Sequence, residues 1–350
     1  MSERWIEPLG LVSGPAAFHA VRNGYGLPLQ GGPAAFLLAR LIEDGADRGV
    51  VRVEDIPESW QDLLEPLTRC PPPFAGIGED ASARPLVMGI VNVTPDSFSG
   101  DGLAMDAAAA IAQGHAMLAA GADILDIGGE STRPGAEPVP VEEEIRRILP
   151  VVRELAKAAP VSIDTRNAAT MEAALEAGAE IVNDISALRH DGAALQLVAR
   201  RKAPVVLMHM LGTDPRTMQR DPRYGDVALD VARFLRDRVE TAERLGIPRS
   251  RIAVDPGIGF GKTMAHNLTL LDRLPLLAGL GCRILLGVSR KGFLGRISGE
   301  KAAGRRVAPS IAAALAGAAR GAAILRVHDV AETVQALRVW EACAAGALPP

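Results

Sequence analysis

The sequence predicts an α/β fold: a (β/α)8 TIM barrel behind a small N-terminal extension. Three observations carry that expectation. From residue 86 onward, eight short apolar runs of strand length alternate with Ala- and Leu-rich runs of helical length. The alternation lasts for roughly 260 residues, near the ~250 of a closed eightfold barrel. Most of the apolar runs end in a loop that opens on a polar, chemistry-bearing residue rather than in a plain turn.

Residues 1–85 lack this alternation. They are rich in Gly and Pro, and Gly14-Pro-Ala-Ala-Phe18 returns as Gly32-Pro-Ala-Ala-Phe36. Each copy leads into a helical-looking run, the second being Ala34–Glu43. Two copies do not make a solenoid, so the segment reads as a small α or α/β subdomain ending in a linker at Pro71-Pro72-Pro73. A packing extension without chemistry is its expected role.

Residues 86–345 read as the catalytic barrel. Its predicted strands are Leu86–Val93, Ile124–Ile127, Val161–Ile163, Ile181–Ile185, Val205–Met208, Ile252–Val254, Ile284–Val288 and Ala323–Val327. Helices are predicted between them, including Asp106–Ala120, Val141–Ala158, Ala168–Ala177 and Val227–Leu245. Short continuous apolar strands suit a parallel sheet covered by helices. A doubly wound open sheet is the structural alternative.

Bulk properties exclude several classes. A net charge of -4 gives no reason to expect nucleic acid or an acidic membrane as partner. Cys70, Cys282 and Cys343 are far apart and form no CxxC pair, which fits a reducing cytoplasm better than a zinc cluster or disulfide framework. The apolar runs are too short or too interrupted to span a membrane.

In a (β/α)8 barrel the C-terminal strand ends face the active site. Here they present Asn92, Asp126, Asp164, Asn183, His209, Asp255, Ser289-Arg290-Lys291 and Arg326-Val-His328. Single members have structural explanations: Asp164 or Asn183 as helix caps, His209 as a satisfied core histidine. Two chemical groups nevertheless stand out. Asp164, Asn183 and Asp255 are short acceptors or amides suited to a small polar ligand such as an aminopyrimidinone edge. Arg290, Lys291, Arg326 and His328 follow the last two strands, where barrels often hold phosphate, and suit a diphosphate. Gly257-Ile-Gly-Phe-Gly-Lys-Thr263 resembles a phosphate loop, but GxxxxGK[ST] would need Gly where Pro256 stands.

These residues resemble dihydropteroate synthase, a pterin-binding barrel enzyme family, over roughly residues 86–340. The carrying motifs, in order, are Gly89-Ile-Val-Asn-Val-Thr-Pro-Asp-Ser-Phe-Ser99, Asp126-Ile-Gly-Gly-Glu-Ser-Thr-Arg-Pro-Gly135, Ser162-Ile-Asp-Thr-Arg166, Val182-Asn-Asp-Ile185, Asp255-Pro-Gly-Ile-Gly-Phe-Gly-Lys262, Ser289-Arg-Lys291 and Arg326-Val-His-Asp329.

The resemblance implies a transferase of folate biosynthesis. It would condense (7,8-dihydropterin-6-yl)methyl diphosphate with 4-aminobenzoate, use Mg²⁺, work as a homodimer and be a sulfonamide target. It implies that Asp164, Asn183, Asp255, Lys291 and Arg326 hold the pterin. Asn92, Thr132, Arg326 and His328 would hold the diphosphate, with Asn92 at the metal. Phe98, Arg133, Pro134 and Gly292 would shape the aminobenzoate pocket, and Asp164, Lys291, Arg326 and His328 would carry the catalysis.

The sequence departs from the family at Gly100, which looks inserted and displaces Asp101, and at Gly292, where some members carry Ser. Rival readings keep the pterin site but change the chemistry. One uses another aryl amine, as in a methanopterin-type pathway. One is a pterin-dependent methyltransferase, against which the Ser-Thr-Arg-Pro loop and Arg326-Val-His328 count. A third is a non-catalytic pterin-binding protein.

Overall fold

A computed structural model describes residues 2–77, 84–93, 103–130, 139–212 and 214–346, with backbone alone for residues 103–106. Eight parallel strands close into a barrel: β5 (Leu86–Asn92), β6 (Ile124–Gly128), β7 (Val161–Asp164), β8 (Ile181–Asp184), β9 (Val205–Met208), β10 (Ile252–Asp255), β11 (Arg283–Leu286) and β12 (Ala322–Val327). Closure comes from β12 pairing with β5, Ile324 opposite Leu86. The outer helices are α3 (Leu103–Ala119), α4 (Val141–Leu155), α5 (Ala168–Glu176), α6 (Ala194–Arg201), α7 (Val227–Arg244), α8 (Met264–Asp272), α9 (Gly292–Ser298), α10 (Val307–Ala318) and α11 (Val330–Ala345). The expected strands and helices are thus observed to within a few residues, and the closed barrel excludes the open sheet.

The strand pleat sorts the interior into two layers, because side chains on one face recur every second residue. Met88, Ile124, Ile181, Val206, Ala253, Leu285 and Ile324 form one buried apolar cluster inside the barrel. One pleat further along the same strands come Asp126, Asn183, Asp255 and Arg326. An apolar layer therefore lies beneath a polar one.

The apolar layer is completed from outside the barrel. Phe74 belongs to the same cluster and is fully buried. The Pro71–Pro73 stretch, expected to be a linker, is a packed segment: Arg283 donates to the carbonyls of Pro71 (2.9 Å) and Pro72 (3.2 Å). This anchoring precedes Phe74 by two residues and sets its entry.

The extension is mostly sheet. Strand β1 (Arg4–Ser13) pairs antiparallel with β3 (Ala34–Glu43), which also pairs with β2 (Leu27–Pro28) and β4 (Ala46–Arg52). Helices α1 (Gly14–Arg22) and α2 (Leu64–Thr68) complete it. The helix expected over Ala34–Glu43 is therefore a strand. Glu43 pairs with Ala46 across Asp44-Gly45, both at positive φ, 50° and 78°. An Asp-Gly pair at positive φ is the two-residue hairpin turn that matches strand twist, and it outweighs the helix propensity of Ala and Leu.

The repeated pentapeptide takes two conformations. Gly14–Phe18 opens α1 and leaves Phe18 62% exposed, whereas Phe36 lies in β3, fully buried. Burial between strands, not the local sequence, decides the second copy.

Ion pairs join the extension to the barrel. Glu3 accepts from Arg233 (2.7 Å) and Arg236 (2.9 Å) of α7. Glu7, fully buried, accepts from Arg273 Nε at 2.7 Å, and Arg273 also reaches Asp226 at 2.7 Å. Asp226 caps α7 through the N–H groups of Ala228 and Leu229. A carboxylate as deep as Glu7 persists only when paired in this way.

Candidate active site

The polar layer converges on Arg326. From β12, its Nε donates to Asp126 Oδ2 at 2.6 Å and its Nη2 to Asp164 Oδ2 at 2.7 Å. Asn183 Nδ2 donates to the same Asp126 oxygen at 3.0 Å. Asp126 is fully buried, and Asp164, Asn183 and Asp255 nearly so. Asp164 Oδ1 and Asp126 Oδ1 are buried with no partner among the described residues. Unpaired buried carboxylate oxygens are costly and mark a place where a ligand donor belongs.

Asp255 holds one oxygen out of that role: Oδ1 accepts from Gly257 N–H at 2.7 Å. Two glycines stand beside these carboxylates, each with room for a Cβ at ordinary contact distance. A Cβ at Gly128 would sit 3.6 Å from Asp164 Cβ, and one at Gly287 would sit 3.8 Å from Asp255 Oδ2. Asp184, next to Asn183, points to the other side of β8 and pins a turn through the N–H groups of Ser186 (2.7 Å) and Leu188 (2.9 Å). Alternation along one strand thus separates a cleft residue from a turn-holding one.

Electrostatics follow from burial. Burial pushes the Asp164 carboxyl up to about 7; Arg326 opposes this and Asp126 adds to it. Burial also raises Asp255, against the Gly257 N–H and the nearby Lys291 and Arg326 charges. For Arg326 burial works against the charge, but Asp126 and Asp164 outweigh it, and the guanidinium stays charged.

The basic group divides. Lys291 precedes α9, with its ammonium 4.3 Å from the centroid of the Phe260 ring. Gly259 makes room for it: a Cβ there would meet Lys291 Cδ at 3.3 Å. Gly292 is the first residue of α9, where backbone N–H groups lack helical partners. His328 is held by Ser289, whose Oγ accepts from the His328 backbone N–H at 3.1 Å and lies 3.0 Å from Nδ1. Arg290 does not join the anion group as expected. It pairs with Asp329 through Nε at 3.1 Å, and its N–H donates to Ser310 Oγ at 2.8 Å.

Asn92 ends β5 beside Gly128 and is half-buried. Phe98, Gly100, Asp101, Thr132, Arg133 and Pro134 lie outside the described residues. His209 is a satisfied buried histidine: its Nδ1 lies 2.8 Å from Lys262 Nζ, and its ring packs edge-on to Phe234. Burial, with Lys262 adding, holds its pKa well below 6.5, so it faces the ammonium as a neutral acceptor.

Sequence reasoning left two residues without a role. Asp126 was recognisable, since it stands two positions after inward-facing Ile124. Lys262 was not. Its ammonium also reaches Phe260 O at 3.0 Å, a contact made only because the Gly257–Gly261 loop folds back. That path needs Gly: at Gly257 (φ 66°) a Cβ would lie 1.9 Å from His209 O.

Among the described residues no His, Cys, Asp and Glu cluster forms a metal cage, and no helix is long and apolar enough to cross a membrane. The fold and this acceptor-lined, Arg-centred mouth define a heterocycle-binding (β/α)8 enzyme. Comparison with known proteins gives the family. The family model described as pterin binding enzyme matches residues 88–328. A dihydropteroate synthase of Neisseria meningitidis serogroup C is 48% identical over 272 residues, covering 77% of this chain and 96% of that protein. The Xanthomonas albilineans dihydropteroate synthase solved with 4-aminobenzoic acid superposes with a TM-score of 0.71 at 51% identity, covering 76% of this chain and 94% of that one. The same enzyme in complex with 7,8-dihydropteroate gives 0.68 at 49% identity, covering 76% and 95%. The chain belongs to the dihydropteroate synthases of the pterin-binding enzyme family.

Proposed function

We propose that this chain condenses (7,8-dihydropterin-6-yl)methyl diphosphate with 4-aminobenzoate, forming 7,8-dihydropteroate and diphosphate in folate biosynthesis. The observation that carries the proposal is the Asp126–Arg326–Asp164 arrangement at the barrel mouth, with Asn183 and Asp255 beside it. Asp164, Asn183 and Asp255 read the pterin edge, Lys291 bonds it from the rim, and Arg326 packs on its face. Asn92, Thr132, Arg326 and His328 take the diphosphate. Phe98, Arg133, Pro134 and the Gly292 N–H shape the aminobenzoate pocket.

The chemistry needs no protein nucleophile. The bond from the exocyclic methylene to the diphosphate oxygen breaks, and its electron pair leaves with the phosphate. The aromatic amine forms the new C–N bond and releases a proton to solvent. Around Arg326 lie the carboxyl groups of Asp126, Asp164 and Asp255. An ionised Asp164 carboxylate favours positive charge on the pterin as the leaving group departs. Asp164, Lys291, Arg326 and His328 are the catalytic residues in this scheme.

Magnesium fits as a partner of the substrate rather than of a protein cage. Asn92 offers one hard oxygen near the mouth, and Mg²⁺ is commonly held by few protein groups plus substrate phosphates. When bound, it would neutralise charge on the leaving diphosphate.

Residues 1–85 serve as the closure of the barrel floor, supported by Phe74 and by the Glu3 and Glu7 ion pairs. A homodimer is supported by an open groove between α10 and α11, where Leu315, Ala336, Val339 and Trp340 are apolar. The three free cysteines support a reducing cytoplasm.

The test is product formation from the pterin diphosphate, 4-aminobenzoate and Mg²⁺, following dihydropteroate and diphosphate together. Equal formation of both supports the assignment. Pterin binding without product would move the reading to another aryl amine, and no pterin binding would overturn the site.

A further inference from the structure

We propose that Arg290 and Asp329 are a positioning pair. Their ion pair fixes the spacing between two ligand anchors on neighbouring loops, Lys291 for the heterocycle and His328 for the diphosphate. The inference deepens the proposed function and rests on it. Backbone pairing of β11 with β12 runs to Leu286 opposite Leu325. Lys291 and His328 both lie beyond that last rung, where the two chains have become loops.

Two side-chain ties cross between the loops there. Ser289 Oγ accepts the His328 backbone N–H at 3.1 Å. Arg290 grips Asp329 side-on, with Nε 3.1 Å from Oδ2 and Nη2 bonded to Oδ1. A two-point contact between guanidinium and carboxylate fixes orientation as well as distance. Each ligand anchor is a chain neighbour of this second tie: Lys291 follows Arg290, and His328 precedes Asp329.

Both members are held for this contact. Arg290 has φ 58°, in the left-handed region that long side chains seldom adopt. Residues beside and within α10 keep it there. Its N–H donates to Ser310 Oγ at 2.8 Å, and its carbonyl accepts from Arg306 Nη1 at 3.0 Å. The Lys291 N–H returns to Val288 O at 3.3 Å and closes the turn. Asp329 precedes α11, yet its carboxylate makes no cap bond to that helix and is only 10% exposed. Its side-chain bonds go to Arg290 instead.

The substrate explains why this spacing matters. Its heterocycle and diphosphate are joined by one methylene, so the intact molecule must satisfy both anchors at once. A separate pterin or a separate diphosphate can settle on its own anchor wherever the loops stand. Loosening the pair therefore weakens the joined ligand and leaves each half unaffected. It also displaces the bond that breaks, and small displacements of reacting atoms cost rate steeply.

The experiment compares wild type, Arg290→Gly, Asp329→Asn and the double variant. Glycine accepts the backbone angle at 290, and Asp329→Asn leaves residue 290 untouched, so one variant checks the other. Calorimetry measures affinity for 6-hydroxymethyl-7,8-dihydropterin, for inorganic diphosphate with Mg²⁺, and for the intact pterin diphosphate. Steady-state kinetics give kcat/KM for the pterin diphosphate, with Tm as a folding control. Each single variant should lose about 10- to 100-fold in kcat/KM, the scale of a small misplacement of the reacting groups. Each half-ligand should bind within about threefold of wild type, since neither spans the two loops. The double variant should fall within about threefold of the worse single, because partners in one contact are not additive.

A long-range charge effect would act with opposite signs, since one variant removes a positive charge and the other a negative one. Opposite shifts, additive losses, half-ligand affinities that fall with the intact ligand, or single variants at wild-type kcat/KM would overturn the proposal. If wild-type protein bound both halves but made no dihydropteroate, the functional reading would fall. Affinities for the intact pterin diphosphate in the four proteins would still decide the role of the pair. Wild-type protein that bound neither half would overturn both.

Discussion

Arg326 and Asp164 form a partly buried ion pair, Nη2 to Oδ2 at 2.7 Å, at the centre of the barrel mouth. The pair joins β12 to β7, strands separated by β5 and β6 in the barrel. It places a charge-bearing plane where the apolar floor ends. The carboxyl is poised, since its second oxygen is unpaired among the described residues and burial has pushed its pKa up to about 7.

That poise predicts a pH dependence for pterin use. Below about 7 the Asp164 carboxyl takes up a proton and presents one acceptor fewer to the ligand. At saturating 4-aminobenzoate, kcat/KM for the pterin diphosphate should therefore rise as pH increases through about 7. Asp164→Asn should lose this limb together with about 100-fold in kcat/KM. A profile flat from pH 6 to 8 in the wild type would contradict the assignment.

His209 predicts a second dependence, on stability. Its pKa is held well below 6.5 in the folded state by burial and Lys262, so only the unfolded chain takes up the proton as pH falls below that value. The unfolded state then binds more protons, and stability falls with falling pH. Urea midpoints compared at about pH 7.5 and pH 5.5 should show the drop across the imidazole range. In His209→Gln, which keeps an acceptor for Lys262, the drop should shrink. An unchanged difference between the two midpoints would assign the acid sensitivity elsewhere.

Phe74 predicts that the extension and barrel share one core. Its ring is fully buried among residues of seven barrel strands. Phe74→Ala should cost about 3–5 kcal/mol, the range for removing a buried aromatic ring, with one unfolding transition. The pterin affinity should change little, because the substitution lies under the apolar layer rather than in the mouth. Two separate transitions in calorimetry would show that the extension unfolds independently.

Much of the barrel was legible because its signals are local. Val205–Met208 and Ile252–Val254 are apolar over strand length and bounded by breakers, which is what a strand covered on both faces requires. The acceptor group was legible for the same reason: Asp164 and Asp255 each end such a run, and Asn183 lies near the end of one. The composition of Ala34–Glu43 favours helix, and the Asp44-Gly45 turn, which sets the segment as a strand, outweighs that composition. The sequence neighbours of Arg290 group it with the anion residues, while its Asp329 partner comes from the next strand–loop unit.

The sequence by itself determined the α/β alternation, the barrel class and the identity of the residues at the strand ends, since these follow from periodicity and from residue chemistry in order along the chain. Tertiary structure alone decided which of those residues meet. Asp126 and Arg326 are 200 positions apart, and Glu7 and Arg273 are 266 apart. Such pairs form only after ring closure has brought β12 beside β5, or after β1 has docked on the barrel. Closure is a property of all the strands together, because strand tilt and stagger must agree around the whole ring, and no single window of sequence carries it.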